Sequence, residues 1–340
     1  MATEVTGRGT HRGNNNILEV CDLTVQYRGE KKQVIATALD HVNITLPERQ
    51  TLGVVGESGS GKTTLGMSIM NLIDPPGRIV SGRVEYMGRD VLKMSNKELR
   101  KYRWQKVAMI YQSAMNSLNP VRPISHPIAE VMMSHKHVLR REAFDLAIKM
   151  LSNVGITPDR AFDYPHELSG GMRQRVVIAL AMALSPRVLI ADEPTSALDV
   201  VTQQHILELI KGEITSKGLS LIFITHEISL LNGLVDNLAV MYAGEVMEHG
   251  SFNEILDEPL HPYTEMLLNT LLTLDSSMKE ASSIPLQETG LVQNSKSVNM
   301  CKYAPRCKYA FDRCWKERPL LLPAGKKADK ERLVACHKYN

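Results

Sequence analysis

A glycine-rich segment near the start of the chain carries the residue types that bind phosphate groups. Residues 56–63 read Gly-Glu-Ser-Gly-Ser-Gly-Lys-Thr and follow the apolar run 51–55. In such a pattern, glycines let backbone N–H groups turn toward phosphate oxygens, and the next helix start adds partial positive charge. Lys62 is placed to reach the β- and γ-phosphates, and Thr63 to offer its hydroxyl to Mg²⁺. We assign to this nucleotide site Gly56, Ser58, Gly59, Ser60, Gly61, Lys62, Thr63 and Thr64.

Two carboxylates after a later apolar run supply the partner that a triphosphate site needs. Residues 188–193 read Val-Leu-Ile-Ala-Asp-Glu, which predicts a strand that ends in Asp192 and Glu193. Neighbouring carboxylates repel each other, so their pairing at a strand end favours a chemical role. We assign Asp192 to the Mg²⁺ shell and Glu193 to the polarisation of an attacking water.

A second anion-binding helix start is predicted at Ser169. This serine can cap the following helix, while Gly170 and Gly171 leave the helix N–H groups open. The segment 168–175 reads LSGGMRQR. It resembles the signature sequence of the nucleotide-binding subunits of ABC transporters, with Met172 at a position where glutamine is commoner.

The resemblance to this family spans roughly residues 17–255. It implies that the Ser169 helix start faces the γ-phosphate bound to a second subunit. ATP would then lie between two chains, and an isolated monomer would hydrolyse it slowly. The resemblance also implies that Lys62, Mg²⁺ and the facing helix neutralise charge while water, oriented by Glu193 and His226, attacks in line.

Four further residues acquire roles through the same resemblance. Gln112, at the end of the apolar run 107–112, is similar to the glutamine that reaches metal and water in the family. Asp199 ends the sequence Ser-Ala-Leu-Asp and resembles the loop that links the two sites of a dimer. His226 ends Leu-Ile-Phe-Ile-Thr-His and resembles the histidine that contacts the γ-phosphate. Tyr27 resembles the aromatic residue that stacks on adenine.

The elements that must hold these residues alternate between strands and helices. Such alternation is typical of a parallel sheet, and the continuous apolar runs 188–192 and 219–225 are typical of central strands covered on both faces. Residues 121–168 read mostly helical. Strands are predicted at 17–27, 33–46, 51–56, 107–112, 188–192 and 219–225, and helices at 62–72 and 141–155.

The expected fold belongs to the α/β class and, by the ABC resemblance, to the P-loop NTPases. It comprises a mixed sheet core, an antiparallel β subdomain, an inserted helical subdomain at about 113–180 and a small, irregular, Cys-rich C-terminal extension. We divide the chain into a flexible arm (1–16), a nucleotide-binding domain (17–255) and the extension (256–340). The start of the helical insert, 113–121, is where the family contacts a membrane subunit.

Composition limits the class of protein. Hydrophobic residues make up 43% and charged residues 23% of the 340 residues, which is typical of a folded globular protein. The apolar stretch 176–184 is too short to cross a bilayer. The polar residues 1–16 do not resemble a secretory signal, so we expect a cytoplasmic protein. The formal charge of +3 is uneven, because 11 basic and 4 acidic residues lie in 301–340.

Cysteines are concentrated near the C-terminus. Disulfides are not expected in a reducing cytoplasm, and the density favours a metal site over scattered core cysteines. The close cysteine pairs of a typical zinc site are absent, and wider spacing suits an iron–sulfur cluster. Zinc stays the alternative, with His337 as a substitute ligand, while Cys21 falls in a predicted strand. The four candidate ligands, separated by five, six and twenty-one residues, are Cys301, Cys307, Cys314 and Cys336.

The extension resembles that of the ATPase subunits of dipeptide and oligopeptide importers. The resemblance rests on EPLHPYTEMLLNTLL at 258–272 and on the cysteine spacing, on which related importers carry a [4Fe–4S] cluster. Pro262 is placed in the first turn of a predicted helix whose apolar face includes Met266, Leu267 and Leu271. The basic charge of the extension suits an anionic cluster, and equally acidic lipids or nucleic acid. The basic residues assigned to the cluster are Lys302, Arg306, Lys308 and Arg313.

These patterns predict an ATPase that powers import of di- or oligopeptides, or related small solutes, from the cytoplasmic face of a membrane. The expected cofactors are Mg²⁺ and a [4Fe–4S] cluster, or Zn²⁺ in its place. The expected partners are a second ABC ATPase subunit (a paralogue or a second copy), two membrane permeases and, indirectly, an extracytoplasmic solute-binding protein, without nucleic acid. The alternatives are an ABC ATPase that serves no transporter and an ATPase regulated by the redox state of its cluster.

Overall fold

The computed structural model describes residues 15–29, 33–112, 117–196, 198–275, 299–324 and 332–339. Most of the predicted N-terminal arm (1–16) lies outside these residues. So does most of the Ser-rich stretch 275–299, which the sequence predicts to be a linker or a long excursion. The strands are β1 (Asn16–Arg28), β2 (Val34–Pro47), β3 (Thr51–Val55), β4 (Gly77–Tyr86), β5 (Arg89–Asp90), β6 (Val107–Ile110), β7 (Val188–Asp192), β8 (Ser220–Thr225), β9 (Asn237–Tyr242), β10 (Glu245–Ser251), β11 (Leu322–Pro323) and β12 (Leu333–Val334). The α-helices are α1 (Lys62–Ile69), α2 (Asn96–Gln105), α3 (Ser125–Lys136), α4 (Arg140–Asn153), α5 (Gly170–Ala181), α6 (Val200–Lys217), α7 (Phe252–Asp257) and α8 (Pro262–Asp275).

A mixed sheet forms the centre of the molecule, with strands in the order β11-β12-β10-β9-β3-β8-β7-β6. Strands β9, β3, β8, β7 and β6 run parallel, whereas β10 is antiparallel to β9. Every residue of β3, β7 and β8 is buried, because layers cover both faces of the sheet. The carboxyl ends of the parallel strands meet at one edge, where the phosphate loop (56–61) follows β3, Gln112 lies beyond β6, Glu193 follows β7 and His226 follows β8.

An antiparallel sheet of order β2-β1-β4-β5 covers one face of the central sheet. Its apolar residues, such as Leu23 and Leu39, share a core with Leu65 and Ile69 of α1 and with Ile222 of β8. Helix α1 therefore lies between the two sheets. This arrangement confirms the mixed sheet core and the antiparallel β subdomain predicted from the sequence.

Helices and the C-terminal extension cover the opposite face. Helices α3 to α6 contribute residues such as Ile128 and Val176 to one core, and Cys301, Tyr303 and Cys314 of the extension belong to the same core. Strand β12 pairs with β10, so the extension also lengthens the central sheet. Of the helices that the structure describes, none is both long and apolar enough to span a bilayer.

Element boundaries differ slightly from those predicted. Strand β6 ends at Ile110 rather than at residue 112, so Gln112 lies in a turn beyond the strand. Helix α1 ends at Ile69, three residues early, and α4 occupies 140–153. The helix predicted from Pro262 is present as α8.

Candidate functional site

The phosphate loop, residues 56–61, turns tightly between β3 and α1. Gly56 and Gly61 have φ angles of 155° and 99°. A Cβ atom on Gly56 would lie 2.1 Å from the carbonyl oxygen of Met241, and one on Gly61 would lie 2.4 Å from that of Ala38. No larger residue fits at either position. Gly61 is the N-cap of α1, and within the described residues no side chain caps it, so the first N–H groups face outward for an anion.

Lys62 begins α1 and folds back over the loop. Its Nζ donates hydrogen bonds to the carbonyl oxygens of Gly56 (2.7 Å) and Glu57 (2.8 Å) and to Oγ of Ser60 (3.3 Å). Burial lowers the pKa of Lys62, whereas the carboxylates of Glu193, Asp192 and Glu57 raise it. The ammonium group is thus partly desolvated and is held at the mouth of the loop.

Asp192 ends β7 and is fully buried at 0% exposure. Neither of its carboxylate oxygens has a hydrogen bond of normal geometry within the described residues. Burial raises the pKa of Asp192; the nearby Thr63 hydroxyl and Lys62 act in the opposite direction. A buried carboxylate without a partner is costly, and a bound divalent cation is the usual compensation. Asp192 and Thr63 therefore fit a Mg²⁺ site.

Glu193 is held from two sides. Its Oε2 accepts a hydrogen bond from Nε2 of Gln112 (2.8 Å), and its Oε1 lies 3.0 Å from Nδ1 of His226. The backbone at Glu193 has φ 45°, an unusual value for a residue with a side chain. Its N–H donates to the carbonyl of Ile224 in β8, which fixes this conformation. The structure thus brings together three residues predicted separately from the sequence.

The predicted signature segment starts α5. Oγ of Ser169 accepts a hydrogen bond from the N–H of Met172 at 3.3 Å, as an N-cap does. A Cβ on Gly171 would lie 2.4 Å from Thr202, so α5 and α6 touch there. Asp199 caps α6 by accepting from the N–H (3.0 Å) and Oγ1 (2.7 Å) of Thr202, and these bonds lower the pKa of Asp199. Ser169 and Asp199 are therefore both exposed residues at the start of a helix.

Tyr27 lies in β1, opposite Ala36 of β2 and Gly77 of β4. Ala36 is two residues from Ala38, whose carbonyl contacts Gly61 of the phosphate loop. Tyr27 therefore belongs to the part of the β subdomain that adjoins the loop.

Three residues around the phosphate loop, Glu57, Tyr263 and Arg306, were not predicted for the nucleotide site. The N–H of Glu57 donates to Oη of Tyr263 at 2.9 Å. Both carboxylate oxygens of Glu57 accept from Arg306, at 2.9 and 3.0 Å. Tyr263 and Arg306 belong to the C-terminal extension, more than 200 positions away in the chain. The sequence His-Pro-Tyr indicated the start of a helix, but it did not indicate that the tyrosine contacts the phosphate loop.

All four candidate cysteines line one cavity of about 260 Å³, together with His337. Burial raises the pKa of Cys301 to about 11 and also raises the pKa of Cys307 and Cys336. N–H groups two residues beyond these cysteines, on Tyr303, Tyr309 and Lys338, oppose that rise by hydrogen bonding to sulfur. In the parts of the chain that the structure describes, no three His, Cys, Asp or Glu side chains are arranged to hold a metal ion.

The basic residues assigned to a cluster all have carboxylate partners. Lys302 pairs with Asp40 (2.7 Å) and Glu245 (3.0 Å), and Arg306 pairs with Glu57. The remaining two pairs are Lys308 with Glu265 and Arg313 with Glu317. Their charge thus serves contacts within the protein.

This fold and site define an ABC-type ATPase. The family model described as "ABC transporter" matches residues 39–196, and the one described as "Oligopeptide/dipeptide transporter, C-terminal region" matches residues 247–314. A solved structure titled as a dimeric post-hydrolysis state of the ATP-binding cassette MJ0796 bound to ADP and Pi is similar at TM-score 0.62 and 27% identity. It covers 69% of this chain and 98% of that one.

Relatives extend the similarity over nearly the whole chain. A putative peptide import ATP-binding protein of Brucella melitensis is 40% identical, covering 92% of this chain and 94% of that one. The dipeptide transport ATP-binding protein of Caldanaerobacter subterraneus is 39% identical, covering 95% and 97%. The oligopeptide transport ATP-binding protein of Salmonella typhimurium is 39% identical, covering 94% of each. The chain belongs to the ABC transporter ATP-binding subunits of the oligopeptide/dipeptide family.

Proposed function

We propose that this chain hydrolyses ATP to drive import of peptides through a membrane ABC transporter. The observation that carries the proposal is that relatives named for peptide import match over both the nucleotide-binding part and the extension. Since cargo in such systems is chosen by other subunits, di- and oligopeptides are the proposed class. We further propose that residues 17–255 form the nucleotide-binding domain and 256–340 the extension.

The site residues are proposed to divide the work of hydrolysis. Lys62 leaves its carbonyl partners and donates to the β- and γ-phosphates, where it offsets negative charge. Glu193 accepts a hydrogen bond from the attacking water and orients it in line with the γ-phosphorus. Gln112 and His226 hold the two oxygens of Glu193, and both are free to turn toward nucleotide once it binds. Tyr27 is proposed to stack on the adenine.

Mg²⁺ is proposed to bind Asp192, with the Thr63 hydroxyl and Gln112 as further ligands. When bound, it neutralises charge on the β- and γ-phosphates. The buried, unpartnered carboxylate of Asp192 supports this assignment.

A second ATPase subunit is proposed to complete the site. Ser169, Gly170 and Gly171 start α5 with exposed or half-buried N–H groups that suit the γ-phosphate of a facing subunit, and Asp199 lies beside them. The dimeric cassette among the similar structures supports this arrangement.

Two permeases are the further proposed partners, bound at the cytoplasmic face of the membrane. The helical insert exposes large apolar side chains, with Val121 at 77%, Leu139 at 79% and Phe162 at 53% exposure. These exposed apolar residues are the proposed points of contact with the permeases.

Replacement of Glu193 by Gln tests the hydrolytic assignment. We expect ATP binding to persist and turnover to fall about 100-fold or more, because an amide cannot act as a base. Turnover is measured as phosphate release, with and without peptide-loaded binding protein on the reconstituted transporter.

The matched control is Glu227→Gln, which removes a carboxylate 3.6 Å from the other ring nitrogen of His226. This control should keep turnover. Native turnover in Glu193→Gln would overturn the assignment of Glu193 to hydrolysis. A transporter whose turnover peptide does not stimulate would overturn the proposal that its cargo is peptide.

We also propose that the four-cysteine cavity holds a [4Fe–4S] cluster. Four cysteines line one cavity, and N–H groups are directed at three of the sulfurs. Four cysteine thiolates are the ligands of such clusters, and hydrogen bonds to sulfur tune their potential. When bound, a cluster supplies a one-electron redox centre. Zinc is the alternative, because His337 lines the same cavity.

Metal analysis after anaerobic purification tests the cavity. We expect about four iron and four sulfide per chain, and their loss in Cys314→Ser but not in Cys21→Ser. Stoichiometric zinc in both aerobic and anaerobic preparations would favour the alternative, and a metal-free wild-type protein would contradict both.

A further inference from the structure

Glu57 is the second residue of the phosphate loop, and every polar group it has is held. Its N–H donates to Tyr263 and its carbonyl oxygen accepts from Lys62. Its carboxylate accepts two parallel bonds from Arg306. A two-bond guanidinium–carboxylate pair fixes orientation as well as distance. One residue of the loop is thus joined to the catalytic lysine and twice to the C-terminal extension.

Arg306 is itself held rigidly. Its guanidinium lies 5.7 Å from the ring centroid of Tyr242 and 6.0 Å from that of Tyr303. The rings of Tyr242, Tyr303 and Tyr263 contact one another, with centroid separations of 4.7 to 5.4 Å. Tyr242 ends β9, Tyr263 lies in α8 and Tyr303 precedes Arg306, so three separate parts of the chain form this support. Such contacts limit the rotamers of Arg306.

The other end of the loop is supported by the same extension. The N–H of Gly244 donates to the carbonyl of Ser60, and the N–H of Asp40 donates to the carbonyl of Gly244. Asp40 in turn pairs with Lys302 (2.7 Å) and Arg318 (3.1 Å). The extension therefore reaches both the beginning and the end of the phosphate loop.

We propose that Arg306 is a positioning residue for ATP binding, which acts through Glu57 and couples the segment 301–307 to the phosphate loop. The inference rests on the proposed ATP site. The segment begins with Cys301 and ends with Cys307, so whatever occupies the cysteine cavity is linked to the nucleotide. By thermodynamic reciprocity, nucleotide binding must stabilise the segment to the same degree as the segment favours nucleotide binding.

Charge determines whether the Arg306–Glu57 pair strengthens or weakens nucleotide binding. The Glu57 carboxylate acts electrostatically on Lys62, so it also contributes negative potential where the phosphates bind. Arg306 neutralises that carboxylate. Removal of Arg306 leaves the charge of Glu57 uncompensated beside an anionic ligand, whereas removal of both charges leaves no conflict.

The experiment measures the dissociation constant of a fluorescent ATP analogue by titration of the full chain. Glu57 and Arg306 are partly exposed, so we expect Arg306→Ala to weaken binding by about fivefold. Arg306→Lys should weaken it less. The double variant Glu57→Gln/Arg306→Ala should bind within about twofold of the wild type, because the uncompensated charge is gone.

The matched control is Arg83→Ala, which removes an arginine of β4 that pairs with Glu85 of the same strand rather than with the phosphate loop. It should bind like the wild type. Lys62→Ala serves as the reference for loss of the site: if it binds like the wild type, the proposed ATP site is wrong. If Lys62→Ala fails to bind but Arg306→Ala binds normally, this inference alone is wrong. A loss in Arg306→Ala that Glu57→Gln does not relieve would show a merely structural role.

Hydrogen exchange provides a second readout that does not depend on affinity. ADP should slow exchange in 56–61 and in 299–307 of the wild type. In Arg306→Ala saturated with ADP, only 56–61 should be slowed. Equal protection of both segments in the variant would overturn the coupling.

Discussion

At the scale of single residues, the site contains carboxylates that are stable in a buried position only when a hydrogen-bond donor or a cation accompanies them. Glu193 is satisfied by Gln112 and His226, whereas Asp192 is fully buried and neither of its oxygens has a hydrogen bond of normal geometry among the described residues. An unpaired buried carboxylate destabilises the folded chain in the absence of a cation. We infer that the buried Asp192 carboxylate lowers the folding stability of the nucleotide-free protein and that bound Mg²⁺ removes this cost.

Asp192→Asn should therefore stabilise the nucleotide-free protein by about 1 kcal/mol at neutral pH. Since burial raises the pKa of Asp192, the folded state takes up its proton first as pH falls, and the advantage of the variant should shrink between that raised pKa and the ordinary 3.8. Unfolding in urea at several pH values measures this effect.

The effect of Mg²⁺ on the thermal midpoint shows whether Asp192→Asn acts through the lost charge or through altered packing. MgATP should raise the thermal midpoint of the wild type more than ATP with a chelator does, and this difference should vanish in Asp192→Asn. The exposed Asp145 on α4 provides the control, because Asp145→Asn should change neither quantity. A less stable Asp192→Asn that keeps its response to Mg²⁺ would contradict the assignment.

Part of the residue-level site could be predicted from the residues themselves, because Glu193 follows an apolar run, whereas the roles of Gln112 and His226 came from the resemblance to the ABC family. Parallel strands bring the carboxyl ends that carry these residues together. The contacts of Glu57 with Tyr263 and Arg306 could not be predicted. They join positions 206 and 249 residues apart, and no local pattern encodes a pair at such separation.

At the scale of elements, the start of α8 explains the His-Pro-Tyr sequence. Nδ1 of His261 accepts from the N–H of Tyr263 at 3.0 Å, so the imidazole acts as the helix cap. Pro262 has no N–H to satisfy in the first turn. Tyr263 is fully buried and reaches the phosphate loop. Burial lowers the pKa of His261 to about 3, so the capping ring is neutral.

The buried imidazole makes stability depend on pH. Between an ordinary pKa of about 6.5 and the lowered value of about 3, the unfolded state binds a proton that the folded state does not. The free energy of unfolding should thus fall as pH drops below 6.5, by up to about 1.4 kcal/mol per pH unit from this residue. Denaturant unfolding between pH 7.5 and 5 measures the slope.

His261→Asn keeps a capping acceptor and removes the titration. We expect this variant to be less stable at pH 7.5, through lost packing, but to show a shallower decline on acidification. Identical slopes for the two proteins would mean that His261 does not titrate on unfolding. His249, whose pKa burial lowers to about 4, accounts for part of the remaining slope in both.

Element prediction succeeded for β1, β2, β7 and β8, but it named no strand at β4 and no helix at α6. Strands β7 and β8 are buried throughout and matched their predictions. Strand β4 is largely exposed, and α6 buries only Ile206 and Ile210 along 18 residues, so neither has a clear apolar period.

At the scale of the whole molecule, the extension is part of the same core as the nucleotide-binding elements. Cys301, Tyr303 and Cys314 pack into the core that also holds β7 and α3 to α6. The sequence indicated an irregular, basic, Cys-rich segment, but it did not indicate that Arg306 pairs with Glu57 of the phosphate loop. It also did not indicate that Lys302 and Arg318 pair with Asp40. The sequence-based interpretations of this charge were a cluster, acidic lipids or nucleic acid, and none of them included ion pairs within the protein.

The pairing of β12 with β10 has a further consequence for the chain in solution. Strand β10 would otherwise end the sheet and offer a row of unpaired backbone groups to any neighbouring molecule. The contacts of Glu248 and His249 with Val334 and Leu333, and the bond from the N–H of Ala335 to Met247, block that row. Strand β12, which lies close to Cys336 in the chain, thereby also reduces the tendency of the protein to aggregate edge to edge.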